Sequence, residues 1–207
     1  MIDVLKTLAA LGFGYLLGSF NASVIVGKIY GTDITSQGSR SAGLTNTLRV
    51  LGKTAAAFVL AGDVLKGIAA CLVGLVLGVY VQSGQASDCV SLLAAGAGAV
   101  IGHNWPVYFG FKGGKGALTA AAVMFTVNWL MALISLGVFA LVVATTRYVS
   151  LGTICASLFF VALSFVPAFG STVYFQVFAG LMAAIIIFRH RENIRRLLSG
   201  NENKLRL

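Results

Sequence analysis

From Ala117 to Thr146 the chain runs for 30 residues without a charged side chain. Nothing constrains its fold more. A helix that crosses a bilayer needs about 20 apolar residues, and a spanning segment must satisfy its own backbone hydrogen bonds, which in an apolar run of this length means helix. Five further runs meet the length: Val4–Ile29, Thr54–Val81, Val90–Phe109, Leu151–Phe169 and Ser171–Phe188. Composition agrees. Hydrophobic residues make up 58% of the 207 and charged residues 10%, against about 25% charged in soluble domains. So few charges cannot cover a water-facing surface. The expected class is an all-α, polytopic integral membrane protein, built as one transmembrane domain over residues 1–207 with a basic tail at 189–207. Leu8–Leu17 has the length of a signal-peptide core, but the apolar character continues past Ser19 to Ile29, so an uncleaved first span is expected.

Ala117–Thr146 is long for one crossing and short for two, and the placement of positive charge decides between them. Lys28, Arg40, Arg49 and Lys53 lie in or beside loop 30–53, and Lys112 and Lys115 in loop 110–116. Arg147 opens the next turn, and Arg189, Arg191, Arg195, Arg196, Lys204 and Arg206 fill the tail. Loop 82–89 and the turn Pro167–Thr172 hold no Lys or Arg. These sets alternate in side only if Ala117–Thr146 crosses twice, turning near Asn128. The expectation is seven transmembrane helices, the N-terminus outside and the C-terminus in the cytoplasm. The net charge of +9 therefore reads as membrane orientation and not as a nucleic-acid footprint. Cys71, Cys89 and Cys155 fit no metal spacing and read as small buried hydrophobes.

Four polar stretches are expected on the cytoplasmic side: Gly31–Arg49, the segment around His103, Lys112 and Lys115, Thr146–Ser150, and Arg189–Leu197. Orientation needs only Lys and Arg. It does not need "GGKG" at 113–116, nor Ser and Asn beside arginines. Glycines let backbone N–H groups turn toward an anion, and a lysine adds a point charge. An apolar helix follows directly, and its N-terminus favours negative charge. The stretch is no nucleotide-binding P-loop: Phe109 stands at the first glycine position and Gly116 at the Ser/Thr position. Asp63 and Lys66 sit three apart inside the second span, on one helix face. Mutual pairing that holds helices together is the preferred reading, with proton relay as the other. The two histidines, His103 and His190, lie on separate segments, and neither a Ser-His-Asp arrangement nor a metal cluster is visible. No metal or cofactor is expected. Chemistry would depend on cations, backbone amides, hydroxyls and histidine.

The stretch Gly102–Gly116, "GHNWPVYFGFKGGKG", with "RHRENIRRLLSGNE" at 189–202, "DVLKG" at 63–67, "RYVSL" at 147–151 and the Gly38–Arg49 element, resembles the PlsY family, the membrane-bound acyl-phosphate:glycerol-3-phosphate acyltransferases of bacteria. The likeness covers nearly the whole chain. It implies transfer of a fatty acyl group from acyl phosphate to the 1-hydroxyl of sn-glycerol 3-phosphate, giving lysophosphatidate and inorganic phosphate, at the cytoplasmic face of the plasma membrane. It also implies seven spans, with acyl phosphate, glycerol 3-phosphate and membrane lipid as partners. On this reading Lys115 and the amides of Gly113, Gly114 and Gly116 hold a phosphate. Arg49, with Ser39 and Asn46, contacts glycerol phosphate, and His103 orients a reacting group. His190, Glu192 and Asn193 contribute from the tail, with Arg147 and Ser150 beside them. The catalytic set is His103, Lys115, Asn193 and Ser150. The chain departs from the family at Arg40, where Gly is usual, at Ser41 (Asn), Leu44 (Ala) and Thr35 (often Arg), and at Phe20-Asn21 (Ile-Pro). A small transporter or phosphate-lipid binding protein, using Asp63 and Lys66 as a coupling pair, is the rival class. A carrier should line a path near the midplane, whereas these polar residues crowd one face.

Overall fold

In a computed structural model, residues 1–80, 87, 89–169 and 172–205 are described. Val81, most of loop 82–89, Ser171 and Arg206 lie outside them. The regular secondary structure of the described residues is helical, apart from an isolated bridge between Tyr80 and Cys89. The chain forms two compact units, Met1–Val127 and Asn128–Leu207.

The first unit holds α1 (Ile2–Ser19), α2 (Ala22–Ile29), α3 (Leu44–Leu77), α4 (Val90–Asn104) and α5 (Ala117–Val127). The first apolar run is not one continuous helix. It opens at Phe20, and Asn21 caps α2 by accepting from Val24 N at 3.2 Å. Such a break needs an N-capping side chain, and Asn supplies it. Helix α3 begins at Leu44, ten residues before the expected span, so Asn46 and Arg49 are helical and not loop residues. Gly52 then interrupts α3 at φ 84°, ψ −173°, a conformation that costs glycine little and any side chain much. Helix α4 ends at Asn104 because Trp105 precedes Pro106 and is pushed out of the helical region. The expected span Val90–Phe109 thus stops five residues early.

Helices α1 and α4 pack backbone to backbone. A Cβ at Gly14 or Gly18 would strike the Ala95 or Ala99 carbonyl, and one at Gly98 or Gly102 would strike those of Leu11 or Tyr15. The sequence reads G-x3-G on both helices, the small-residue spacing by which membrane helices approach. Hydrogen bonds reinforce the packing: Ser23 and Thr47 hydroxyls meet at 2.7 Å between α2 and α3, and Ser91 Oγ donates to Gly74 O at 2.7 Å between α4 and α3. Large apolar side chains point outward. Val76 is 87% exposed, Leu65 64% and Phe58 61%, the inverse of a water-soluble helix and suited to lipid.

The second unit holds α6 (Trp129–Thr146), α7 (Val149–Ser164), α8 (Val173–Arg189) and α9 (Arg191–Leu198). Asn128 interrupts the 30-residue uncharged run where a turn was expected, and caps α6 by accepting from Met131 N at 3.1 Å. Phe160, Phe175 and Phe178 form its aromatic core. Helices α8 and α9 meet at His190 with a bend of 60°.

Among the described residues, three helices are long and apolar enough to cross a membrane: Ile2–Ile29 taken through its break, Leu44–Leu77 and Trp129–Thr146. The bent pair α8–α9 makes a fourth. Helix α5 has 11 residues, so it rises about 16 Å, half the hydrocarbon thickness. Helix length alone therefore counts fewer crossings than the charge pattern does. Cys71 and Cys89 are buried and Cys155 half-buried, all as free thiols.

Candidate active site

His103 occupies the last turn of α4. Beyond it the chain reverses through Pro106, a short 3-10 turn at Val107–Phe109 and two left-handed residues, Gly110 and Phe111. That reversal lays Gly113–Gly116 back on the end of α4. Gly114 N donates to His103 O at 3.1 Å, so this amide is engaged within the protein. A Cβ at Gly113 would strike His103 O and lie 2.6 Å from Pro106 Cδ. One at Gly114 would strike both His103 Nε2 and Ala42 O. Ala42 belongs to the first polar loop. At Gly114, therefore, the first loop, the histidine ring and the glycine loop meet, and there is no room for a side chain. Lys115 follows, half-buried, and α5 starts at Ala117.

Asn46 is 2% exposed and braces the first loop from inside. Its Oδ1 accepts from Ser39 N at 2.8 Å, and its Nδ2 donates to Ile34 O and Gln37 O, both at 3.0 Å. Three bonds engage both ends of the amide, so Asn46 shapes the loop that carries Ser39. Arg49, one turn further along the helix, is exposed. Thr35 stands in a local turn in which its N–H and hydroxyl donate to Asp33 Oδ1 at 2.9 and 2.7 Å. Those two bonds hold the Asp33 carboxyl below its ordinary range.

Behind His103 lies a buried polar cluster. Lys66 Nζ sits 2.8 Å from Asp63 Oδ1, 2.8 Å from His103 Nδ1 and 3.1 Å from the Phe20 carbonyl. Thr119 Oγ1, from α5, lies 3.4 Å from the same His103 nitrogen. The intramembrane pair thus ties α3 to the end of α1 and to α4. Asn104, beside His103, is fully buried with neither amide atom partnered among the described residues, and a Cβ at Gly116 would come within 2.8 Å of its Oδ1. Its residue type gave no signal. The only sequence hint was its place beside His103.

In the second unit Glu202 is the centre of a network that also had no sequence signal beyond its place at the end of the tail motif. Its Oε1 accepts from Ser150 Oγ at 2.8 Å and Asn193 Nδ2 at 2.6 Å, and its Oε2 from Arg196 Nε at 2.7 Å. Burial alone would raise the Glu202 pKa, but the bonds from Asn193, Arg196 and Ser150 outweigh it and hold the carboxyl below its ordinary value. Asn193 keeps one buried acceptor, Oδ1, without a partner among the described residues. His190 Nδ1 lies 2.8 Å from Ile186 O. A carbonyl only accepts, so this nitrogen carries the proton. Leu205 N donates to Arg147 O at 2.8 Å, bringing the tail to an apolar cavity of about 260 Å³ lined by Phe139, Ala140, Val143, Ala144, Arg147 and Leu205. Arg147 and Glu192 are exposed.

The chain is similar to known proteins over nearly its whole length. Residues 8–200 match the family model for glycerol-3-phosphate acyltransferase. A glycerol-3-phosphate acyltransferase of Thermoanaerobacter sp. (strain X514) is 43% identical over 92% of this chain and 91% of its own, and that of Aquifex aeolicus is 38% identical over 97% and 100%. Two crystal structures of PlsY (YgiH), an integral membrane glycerol 3-phosphate acyltransferase, superpose with TM-scores of 0.87 and 0.85 at 38% identity. They cover 97% of this chain and 96% and 95% of theirs, one in a glycerol 3-phosphate form and the other in a lysophosphatidic acid form. A buried histidine packed on a glycine loop, apolar helices with lipid-suited surfaces and likeness over nearly the full length lead to one assignment: the chain belongs to the glycerol-3-phosphate acyltransferase (PlsY) family of bacterial membrane enzymes, which acts in membrane lipid synthesis.

Proposed function

We propose that the donor is an acyl phosphate and that the fatty acyl group moves to the 1-hydroxyl of sn-glycerol 3-phosphate. The bond between the acyl carbon and the phosphate oxygen breaks and an ester bond to the glycerol oxygen forms. The hydroxyl proton leaves with the phosphate, so the products are lysophosphatidate and inorganic phosphate. An acyl phosphate is a mixed anhydride with a good leaving group. The protein then has mainly to align hydroxyl and acyl carbon and to stabilise the developing oxyanion.

The observation that carries this reading is the meeting of His103, Gly114 and Ala42 beside Lys115. It presents a cation, an imidazole and side-chain-free backbone together, which suits two phosphate-bearing substrates. We assign Lys115 with the Gly113 and Gly116 amides to a substrate phosphate. Arg49 and Ser39 are assigned to glycerol phosphate, with Asn46 and Gly114 setting the loop shape. In the second unit, Asn193 and Ser150 are assigned to the reacting groups, and His190, Glu192 and Arg147 to substrate binding. The apolar cavity that includes Arg147 suits an acyl chain.

We also assign seven crossings, with the N-terminus outside and a cytoplasmic site. The break at Asn128 and the alternation of basic loops support this orientation.

The test uses purified full-length protein with palmitoyl phosphate and glycerol 3-phosphate. Phosphate release that depends on the acceptor is expected, with none from palmitoyl-CoA. Equal transfer from palmitoyl-CoA, or release indifferent to glycerol 3-phosphate, would overturn the reading. Lys115→Ala with unchanged kcat and KM for both substrates would remove the phosphate role of the glycine loop.

A further inference from the structure

The Asp63–Lys66 pair is buried, yet it lies against a ring that faces the glycine loop. A lysine ammonium has three N–H donors and no acceptor. Lys66 Nζ has three neighbours that accept: Asp63 Oδ1 at 2.8 Å, the Phe20 carbonyl at 3.1 Å and His103 Nδ1 at 2.8 Å. Two of these have no proton to give. The third bond closes the set only if His103 Nδ1 offers its lone pair.

Distances rank the alternatives. A proton on Nδ1 would find its oxygen acceptors in Asp63 Oδ1 and Thr119 Oγ1, both 3.4 Å away, beyond the roughly 2.7–3.2 Å usual for N–H···O bonds. The 2.8 Å contact with Lys66 lies inside it. Charge gives the same answer. Asp63 is 1% exposed, His103 3% and Lys66 8%. Carboxylate and ammonium cancel, so a neutral imidazole leaves the cluster uncharged, whereas an imidazolium would leave a net positive charge inside an apolar span. A neutral amine on Lys66 beside a neutral imidazole would strand the Asp63 carboxylate, and beside an imidazolium it would hold the positive charge 3.4 Å from that carboxylate, where the ammonium stands at 2.8 Å.

We propose that Lys66, anchored by Asp63 and the Phe20 carbonyl, is a positioning residue that fixes His103 with a bare Nδ1 and a protonated Nε2. The histidine then presents a hydrogen-bond donor to the loop at Gly114. The inference rests on the acyl-transfer reading for its consequence: His103 stabilises anionic oxygen and is not the base that takes the hydroxyl proton. That proton goes to the departing phosphate. The tautomer is set from the ring's far side, as the partner of one imidazole nitrogen sets the state of the other.

The experiment is nitrogen-15 NMR of histidine-labelled full-length protein in lipid nanodiscs at neutral pH, with His103 identified by its loss in His103→Gln. A protonated Nε2 and bare Nδ1 are expected. A protonated Nδ1, alone or in an imidazolium, overturns the proposal. The double variant Asp63→Asn/Lys66→Met removes both charges together and strands neither. It should give His103 a mixture of tautomers and lower kcat by about 10- to 100-fold, the range seen for outer partners of metal-bound histidines, while KM for glycerol 3-phosphate shifts by less than about threefold. Lys66→Arg, which keeps a permanent donor, should restore the bare Nδ1. An unchanged kcat in the double variant overturns the positioning role. If the tautomer is as expected but no acceptor-dependent phosphate release occurs, the acyl-transfer reading falls and the tautomer assignment stands. If transfer proceeds while Nδ1 is protonated, this inference alone falls.

Discussion

Removing the Glu202 carboxylate should cost the second unit several kilocalories per mole. Three donors converge on it: Ser150 and Asn193 on Oε1, and Arg196 on Oε2, all between 2.6 and 2.8 Å. Ser150 and Asn193 are each 5% exposed, so neither can turn to water when the acceptor goes. A buried donor left unpaired costs about 1–3 kcal/mol, and the two together about 2–6 kcal/mol. Arg196 is 34% exposed, finds water readily, and adds at most about 1 kcal/mol. Glu202→Gln separates these contributions. Its carbonyl still accepts from Ser150 and Asn193, and its amide faces only the Arg196 donor, so it should cost about 1 kcal/mol. Denaturant titration of full-length protein in mixed micelles, followed by circular dichroism, reads the differences. The order should be wild type, then Gln, then Ala. An Ala variant within about 0.5 kcal/mol of wild type, or a Gln variant less stable than Ala, would refute the account.

The same carboxyl sets a pH dependence whose sign is fixed. Its pKa in the folded chain lies below its ordinary value of 4.5. The stabilisation is therefore complete above that ordinary value and disappears as pH falls through the folded one. Wild type should lose stability below about pH 4.5 more steeply than Glu202→Ala, with the two curves running parallel near neutrality.

Three further outcomes follow from backbone geometry. Gly102→Ala places a Cβ against the Tyr15 carbonyl and should cost about 1–3 kcal/mol through overpacking. Gly137→Ala, with nothing within 4 Å of the added carbon, should be neutral or stabilising by up to about 1 kcal/mol, and the same micelle titration checks both. Gly114→Ala pushes His103 and Ala42 apart and should lower kcat/KM about 100-fold, as a displacement near 1 Å does, with the helical content unchanged by circular dichroism.

The polar loop at residues 38–46 shows what sequence conveys and what it withholds. Hydropathy revealed the apolar helices, and the alternation of basic loops along the chain revealed the break near Asn128. The breaks at Asn21 and Gly52 escaped because hydropathy is blind to backbone torsion. The G-x3-G faces of α1 and α4 were hidden among 25 glycines, since only structure shows which of them meet a carbonyl. Motif likeness picked out both Asn46 and Arg49, but residue type cannot tell an asparagine that contacts a ligand from one whose bonds are engaged internally. The structure separates them: Asn46 is buried with three bonds, and Arg49 is exposed. The family's glycine at position 40 also acquires a reason. Arg40 stands at φ 57°, a left-handed conformation that a side chain disfavours by about 1–2 kcal/mol. The turn by itself favours glycine at this position. If that is the whole of its role, Arg40→Gly should stabilise the chain by about 1 kcal/mol and leave KM for glycerol 3-phosphate unchanged. A rise in KM would show that the Arg40 guanidinium serves the acceptor, and that the strain of its backbone is held in place by binding.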